Sequence, residues 1–106
     1  MELEEIEALW GKLRQHEKDI KRLSARNLKV ARNSACFLVV STYNYWVTNI
    51  RLFIPGKLDD FIDYMKPRKD AIMEIIQKSK SVKNIFELAA ELHRNCLDYY
   101  EKNREN

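Results

Sequence analysis

Along the first thirty residues apolar side chains recur at alternating three- and four-residue steps, the spacing that lines one face of a helix. With Ile6 at position a of a heptad, the a sites are Ile6, Leu13, Ile20 and Asn27, and the d sites are Leu9, His16, Leu23 and Val30. Lys12, Arg14, Lys18, Asp19, Lys21, Arg22, Arg26, Lys29 and Arg32 all fall off this seam, the way coiled-coil and bundle helices distribute charge. Leu3 and Trp10 widen the stripe, which favours a bundle with two or more neighbours over an isolated two-stranded coil. One long helix over 3–32 is predicted.

Continued past Val30, the seam would meet Ser34, Ser41, Asn44, Thr48 and Arg51. A second stripe takes over, formed by Cys36, Val40, Tyr43, Val47, Ile50 and Ile54. The apolar face has turned by about 100°, one residue's worth, so a turn or kink is predicted near Asn33 and Ser34, whose short polar side chains can cap a helix. The run from Phe37 to Ile54 is rich in β-branched and aromatic residues, as strands are. It holds no turn dipeptide, and a helix over 35–54 is predicted instead.

Pro55-Gly56 ends that helix, because proline cannot continue it. Leu58, Phe61, Ile62 and Met65 share one face of a short helix over 57–65. Lys66-Pro67 breaks it, and Pro67 suits the first turn of the next helix, over 67–79. Ser81 is the expected N-cap of a last helix over 82–102, where Val82, Ile85, Ala89, Leu92, Cys96 and Tyr99 recur at helical spacing.

Composition narrows the class. A length of 106 residues corresponds to one domain, 1–106. With 45% hydrophobic and 33% charged residues the chain can offset its ordering entropy, so disorder is excluded except at the ends. Two Gly and two Pro are too few for a sandwich or barrel, which needs turn residues at short intervals. The expected fold is all-α: a four- to five-helix bundle with a long N-terminal helix. That helix would be about 45 Å long, against roughly 34 Å for a compact domain of this size. It overhangs, so a second copy is expected to cover the Ile6–Val30 seam, giving a homodimer or higher oligomer. Asn27, at an a site, would set its register.

The formal net charge of +3 is too mild to diagnose a nucleic-acid binder, whose footprint is a concentrated patch. Its distribution says more. Between Asp19 and Asp59 there is no carboxylate, while Lys21, Arg22, Arg26, Lys29, Arg32, Arg51 and Lys57 fall there. Such asymmetry fits an anionic partner, or a basic helix facing the acidic first turn, Glu2, Glu4, Glu5 and Glu7, of a neighbouring chain. Cys36 and Cys96 lie on apolar faces as small hydrophobes, which suits a reducing cytoplasm. The acidic start lacks the features of a secretory signal. The stretch from Ala35 to Ile54 is long enough to span a bilayer, but Asn44, Asn49 and Arg51 mark it as a core helix; no membrane partner is expected.

No motif names a reaction. His93 and Cys96 share a helix face and Cys36 and His16 are the other soft ligands, yet no paired ligand module accompanies them, so neither a metal nor a cofactor is expected. Asp59, Asp60 and Asp63 suit the first turn of a helix as dipole-complementing charges. Arg94-Asn95-Cys96-Leu97-Asp98-Tyr99 resembles the Arg-Asn-x-x-x-His element of HEPN helical ribonucleases and toxins. Those proteins are small dimeric bundles in which Arg and His of two chains form an RNA-cleaving pocket. The resemblance implies a site at Arg94 and Tyr99, although Tyr99 stands where the family has His. The residues themselves point to a non-catalytic assembly or adaptor protein that self-associates and binds a macromolecular partner. The alternatives are a nucleic-acid-binding dimer using Lys21, Arg22, Arg26, Lys29 and Arg32, and a HEPN-like ribonuclease or toxin component.

Overall fold

The computed structural model describes residues 2–79 and 81–104; the side chains of Glu2, Leu3, Ile6, Leu9 and Leu13 lie outside the described set. The elements are α1 (Glu2–Arg14), α2 (Glu17–Ser24), α3 (Leu28–Phe53), a 3-10 turn (Pro55–Lys57), α4 (Leu58–Lys78) and α5 (Val82–Asn103). No strand occurs among the described residues, so the all-α expectation holds.

The single helix expected over 3–32 is instead broken twice. Residues 15–16 form a turn between α1 and α2, spanned by an ion pair from Arg14 Nε to Glu17 Oε1 at 2.8 Å. Asn27 is extended (φ −149°, ψ 90°), and its Oδ1 accepts the Val30 N–H at 3.2 Å, capping α3. The two polar residues of the heptad seam, His16 and Asn27, therefore stand at helix boundaries. A polar side chain buried in a seam loses its water, whereas at a helix start Asn satisfies an orphan N–H. With the cap at Asn27, α3 runs unbroken through Asn33 and Ser34, and no turn interrupts it there.

The C-terminal half matches its pattern more closely. Ser81 Oγ accepts the Asn84 N–H at 3.2 Å and caps α5, and α3 stops just before Pro55. The expected division into helices 57–65 and 67–79 does not occur, since α4 runs through Pro67. Asp63, whose carbonyl loses its donor there, is exposed and so is Pro67. The Arg68 guanidinium donates to the Tyr64 carbonyl at 2.7 Å and lies 3.7 Å over the Tyr64 ring, strapping the weakened turn. Met65 and Ile72, on either side of the proline, are both buried.

Trp46 meets His93 and Phe53 meets Tyr100 at the same sequence offset, so α3 and α5 run parallel as the central pair. α4 returns antiparallel to both, placing Phe61 against Tyr43 and Tyr99. α2 folds back on the start of α3 and reaches α5, where Lys21 lies over Phe86. The result is a flat slab of 48 × 28 × 15 Å. Its core holds Trp46, Ile50, Phe61, Met65, Ile85, Leu92 and Tyr100.

The buried line of α3 is Ala31, Ala35, Leu38, Thr42 and Asn49, with Val39, Trp46 and Ile50 beside it. The more hydrophobic stripe through Cys36, Val40, Tyr43 and Val47 sits at the edge, and Val40 is exposed. Thr42 tolerates burial because its hydroxyl donates to the Leu38 carbonyl at 2.8 Å, one turn back.

Candidate functional site

The exposed sides of α5 and α3 differ in kind. Outward positions of α5 are Lys83, Glu87, Glu91, Arg94 and Asp98, a solvated charged face. Outward positions of α3 are Asn33, Phe37, Val40, Asn44 and Thr48, and no residue from Asn33 to Ile50 carries a charge. Phe37 is 72% exposed. Beside it a groove of about 590 Å³ runs between α2 and α3, with His16, Ile20, Val30, Ser34 and Leu38 in its walls. An apolar centre with a small polar rim and no charge is the composition of an interface core.

The described members of the expected oligomer seam do not share one edge. Ile20 and Leu23 pack against this chain's own core, His16 lies in the α1–α2 turn, Asn27 caps α3, and Val30 is exposed at the head of the α3 face. Ile6, Leu9 and Leu13 fall among the side chains outside the described set.

The basic residues likewise do not form a line along one helix, because the turn at 25–27 divides them. Lys21 lies 3.8 Å from Glu17 and Arg22 lies 3.9 Å from Asp19, so α2 neutralises part of its own charge. Arg22 and Arg26 share a shallow concavity at the hairpin corner with Leu23. Lys29 is exposed and Arg32 half-buried.

Within one chain Arg94 and Tyr99 do not converge. They stand about 140° apart around α5; Arg94 is exposed, whereas Tyr99 is buried and its hydroxyl donates to Asp60 Oδ2 at 2.6 Å. Burial, with the Asp60 carboxylate beside it, raises the Tyr99 phenol above its ordinary range.

His93 has both ring nitrogens engaged. Trp46 Nε1–H donates to Nδ1 at 2.9 Å, and Nε2 lies 3.3 Å from Glu7 Oε1. With its lone pair taken by an indole, the ring offers none to a metal or a substrate proton in this arrangement. Cys96 is fully buried, which pushes its thiol up, and Cys36 is half-buried and free. No group of three His, Cys, Asp or Glu side chains gathers among the described residues, and no helix there is long and apolar enough to cross a membrane.

Comparison with protein-family models, curated proteins and solved structures found no match. Two features escape the sequence pattern. Phe37 lies off both predicted stripes, though the charge-free run around it was readable. The Trp46–His93 pair bridges residues 47 apart, and no local signal marks it.

Proposed function

We propose that this chain is a non-catalytic helical assembly module that pairs with a second copy of itself through the uncharged face of α3, centred on Phe37. The reading rests on that face: an exposed helix with no charge from Asn33 to Ile50 and an aromatic ring standing in water. The surface of 6871 Å² supports it, being about 600 Å² more than a compact chain of this mass presents.

A second copy suits the face better than a charged partner does, because burying unpaired charge against Phe37 and Val40 costs heavily. Each copy supplies an uncharged match. An antiparallel α3–α3 contact about a two-fold axis is isologous, and it sets Val30 near the partner's polar Asn44 end, so no like charges meet. The basic corner at Arg22, Arg26 and Lys29 stays free for an acidic surface on a macromolecular partner. The two free thiols fit a reducing cytoplasm.

Sedimentation velocity at micromolar concentration tests the reading. Wild type is expected as a dimer whose mass does not change between 0.1 and about 1 M salt, where the Debye length shrinks to about 3 Å. Phe37→Asp is expected as a folded monomer with unchanged helical circular dichroism. A monomeric wild type removes the proposal. Gel shifts with RNA and DNA read out the other partner class: salt-sensitive binding that Arg22→Glu/Arg26→Glu abolishes would replace the protein partner with nucleic acid.

A further inference from the structure

His93, on α5, lies where α1, α3 and α5 meet and is 3% exposed. The Trp10 indole of α1 stacks on its ring with centroids 3.9 Å apart and planes 10° from parallel. From α3, Trp46 Nε1–H donates to Nδ1; from α1, Glu7 Oε1 faces Nε2. An indole nitrogen can only donate, so Nδ1 is the bare nitrogen of the neutral ring and the hydrogen sits on Nε2, directed at Glu7. A proton added to Nδ1 would point at the indole N–H only 2.9 Å away, setting two donors against each other. The imidazolium cannot keep this seat. Glu7, half-exposed at the edge of the slab, draws the charged ring outward.

We propose that His93 is a proton-operated catch for α1. Neutral, it bridges Trp46 and Glu7 beneath Trp10 and holds α1 against α3 and α5. Protonated, it releases Trp46, the stack beneath Trp10 is lost, and α1 loosens from the slab. At 13 residues α1 is marginal as an isolated helix, so its order depends on docking, and its Trp10 stack and Glu7 contact to α5 both converge on His93.

The charges facing the ring are Glu7 and Arg14 from α1 and Arg94 from α5. α3 brings the neutral Trp46 and, near Glu7, Tyr45. Burial is the leading cause holding the imidazole less basic than usual; Arg14 and Arg94 act in the same direction and Glu7 opposes them. The docked state thus binds fewer protons than the released one between its own lowered pKa and the ordinary value near 6.5. Docking is complete above that value, weakens as the pH falls through the interval, and weakens no further below it.

Both tryptophans of the chain contact His93, so intrinsic fluorescence reports the catch from two sides. In the full chain, lowering the pH from 7.5 to 4.5 is expected to give a sigmoidal emission change. Amide exchange across Glu2–Arg14, corrected for its intrinsic pH dependence, is expected to speed up over the same interval, while the core of α3 holds. His93→Gln keeps an acceptor for Trp46 and a donor toward Glu7 but takes no proton, and both changes should vanish. Glu7→Gln, at a half-exposed position, should move the midpoint to lower pH. Exchange in α1 that ignores pH, the same transition in a folded His93→Gln, or an unmoved midpoint in Glu7→Gln would each overturn the proposal.

Discussion

Trp46→Ala should lower the unfolding free energy by about 4 kcal/mol. Trp46 is completely buried in the central α3–α5 pair and touches Tyr45, His93 and Tyr100. Removing a buried tryptophan side chain costs roughly 3–5 kcal/mol in lost transfer energy and residual cavity. A second loss accompanies it, because the His93 Nδ1 lone pair is left buried with no donor, a penalty of about 1–3 kcal/mol. Relaxation of α1 over the vacated space recovers part of that. A domain of this length is stable by about 5–15 kcal/mol, so the variant should unfold at a fraction of the wild-type urea midpoint or arrive unfolded. Trp46→Phe separates the two losses: it keeps most of the ring contact and drops the indole donor, and should cost about 2 kcal/mol. Urea titrations followed by far-ultraviolet circular dichroism measure both. An Ala variant within about 0.5 kcal/mol of wild type, the range of ordinary surface substitutions, would mean that α3 and α5 do not pack around this residue.

The contrast between the two halves of the chain shows what sequence pattern carries here. Ser81, Pro55 and the spacing from Val82 to Tyr99 each state a local rule that agrees with the tertiary fold, and α5 and the end of α3 appear where those rules place them. The first half departs from its pattern because a heptad does not say which chain its apolar residues face. Ile20 and Leu23 satisfy the pattern by packing on their own core, and His16 and Asn27, which look like polar intrusions in a seam, are the helix boundaries. On α3, hydrophobicity and burial part company. Thr42 is buried because its hydroxyl bonds within the helix, while Val40 and Phe37 are left in water. That second fact has no local cause in the fold, and the assembly proposal rests on it. Within one chain Arg94 and Tyr99 point to different sides of α5, and Asp60 holds the Tyr99 hydroxyl.

Pro67→Ala should stabilise the protein by about 2 kcal/mol. An interior proline disfavours a helix by about 3 kcal/mol relative to alanine, through the missing N–H and the clash of its ring with the carbonyl one turn back. Against this stands a loss of up to about 1 kcal/mol, since alanine restores freedom to the unfolded chain that proline had removed. The position suits the exchange, because Pro67 and Asp63 both face solvent, so a restored bond from residue 67 to the Asp63 carbonyl disturbs no packing. What holds α4 together across the proline is the buried pair Met65 and Ile72, together with the Arg68 guanidinium on the Tyr64 carbonyl. The same reasoning makes Arg68→Ala and Pro67→Ala non-additive. Removing the strap should cost more in wild type than in Pro67→Ala, where the backbone ladder is complete, and a double-mutant cycle exposes the coupling. A gain of about 2 kcal/mol corresponds to roughly 8–16 °C in Tm for a domain near this size, well within reach of a thermal melt. A Pro67→Ala variant that melts below wild type would show that the proline-shaped backbone is itself required to seat Met65 and Ile72 in the core.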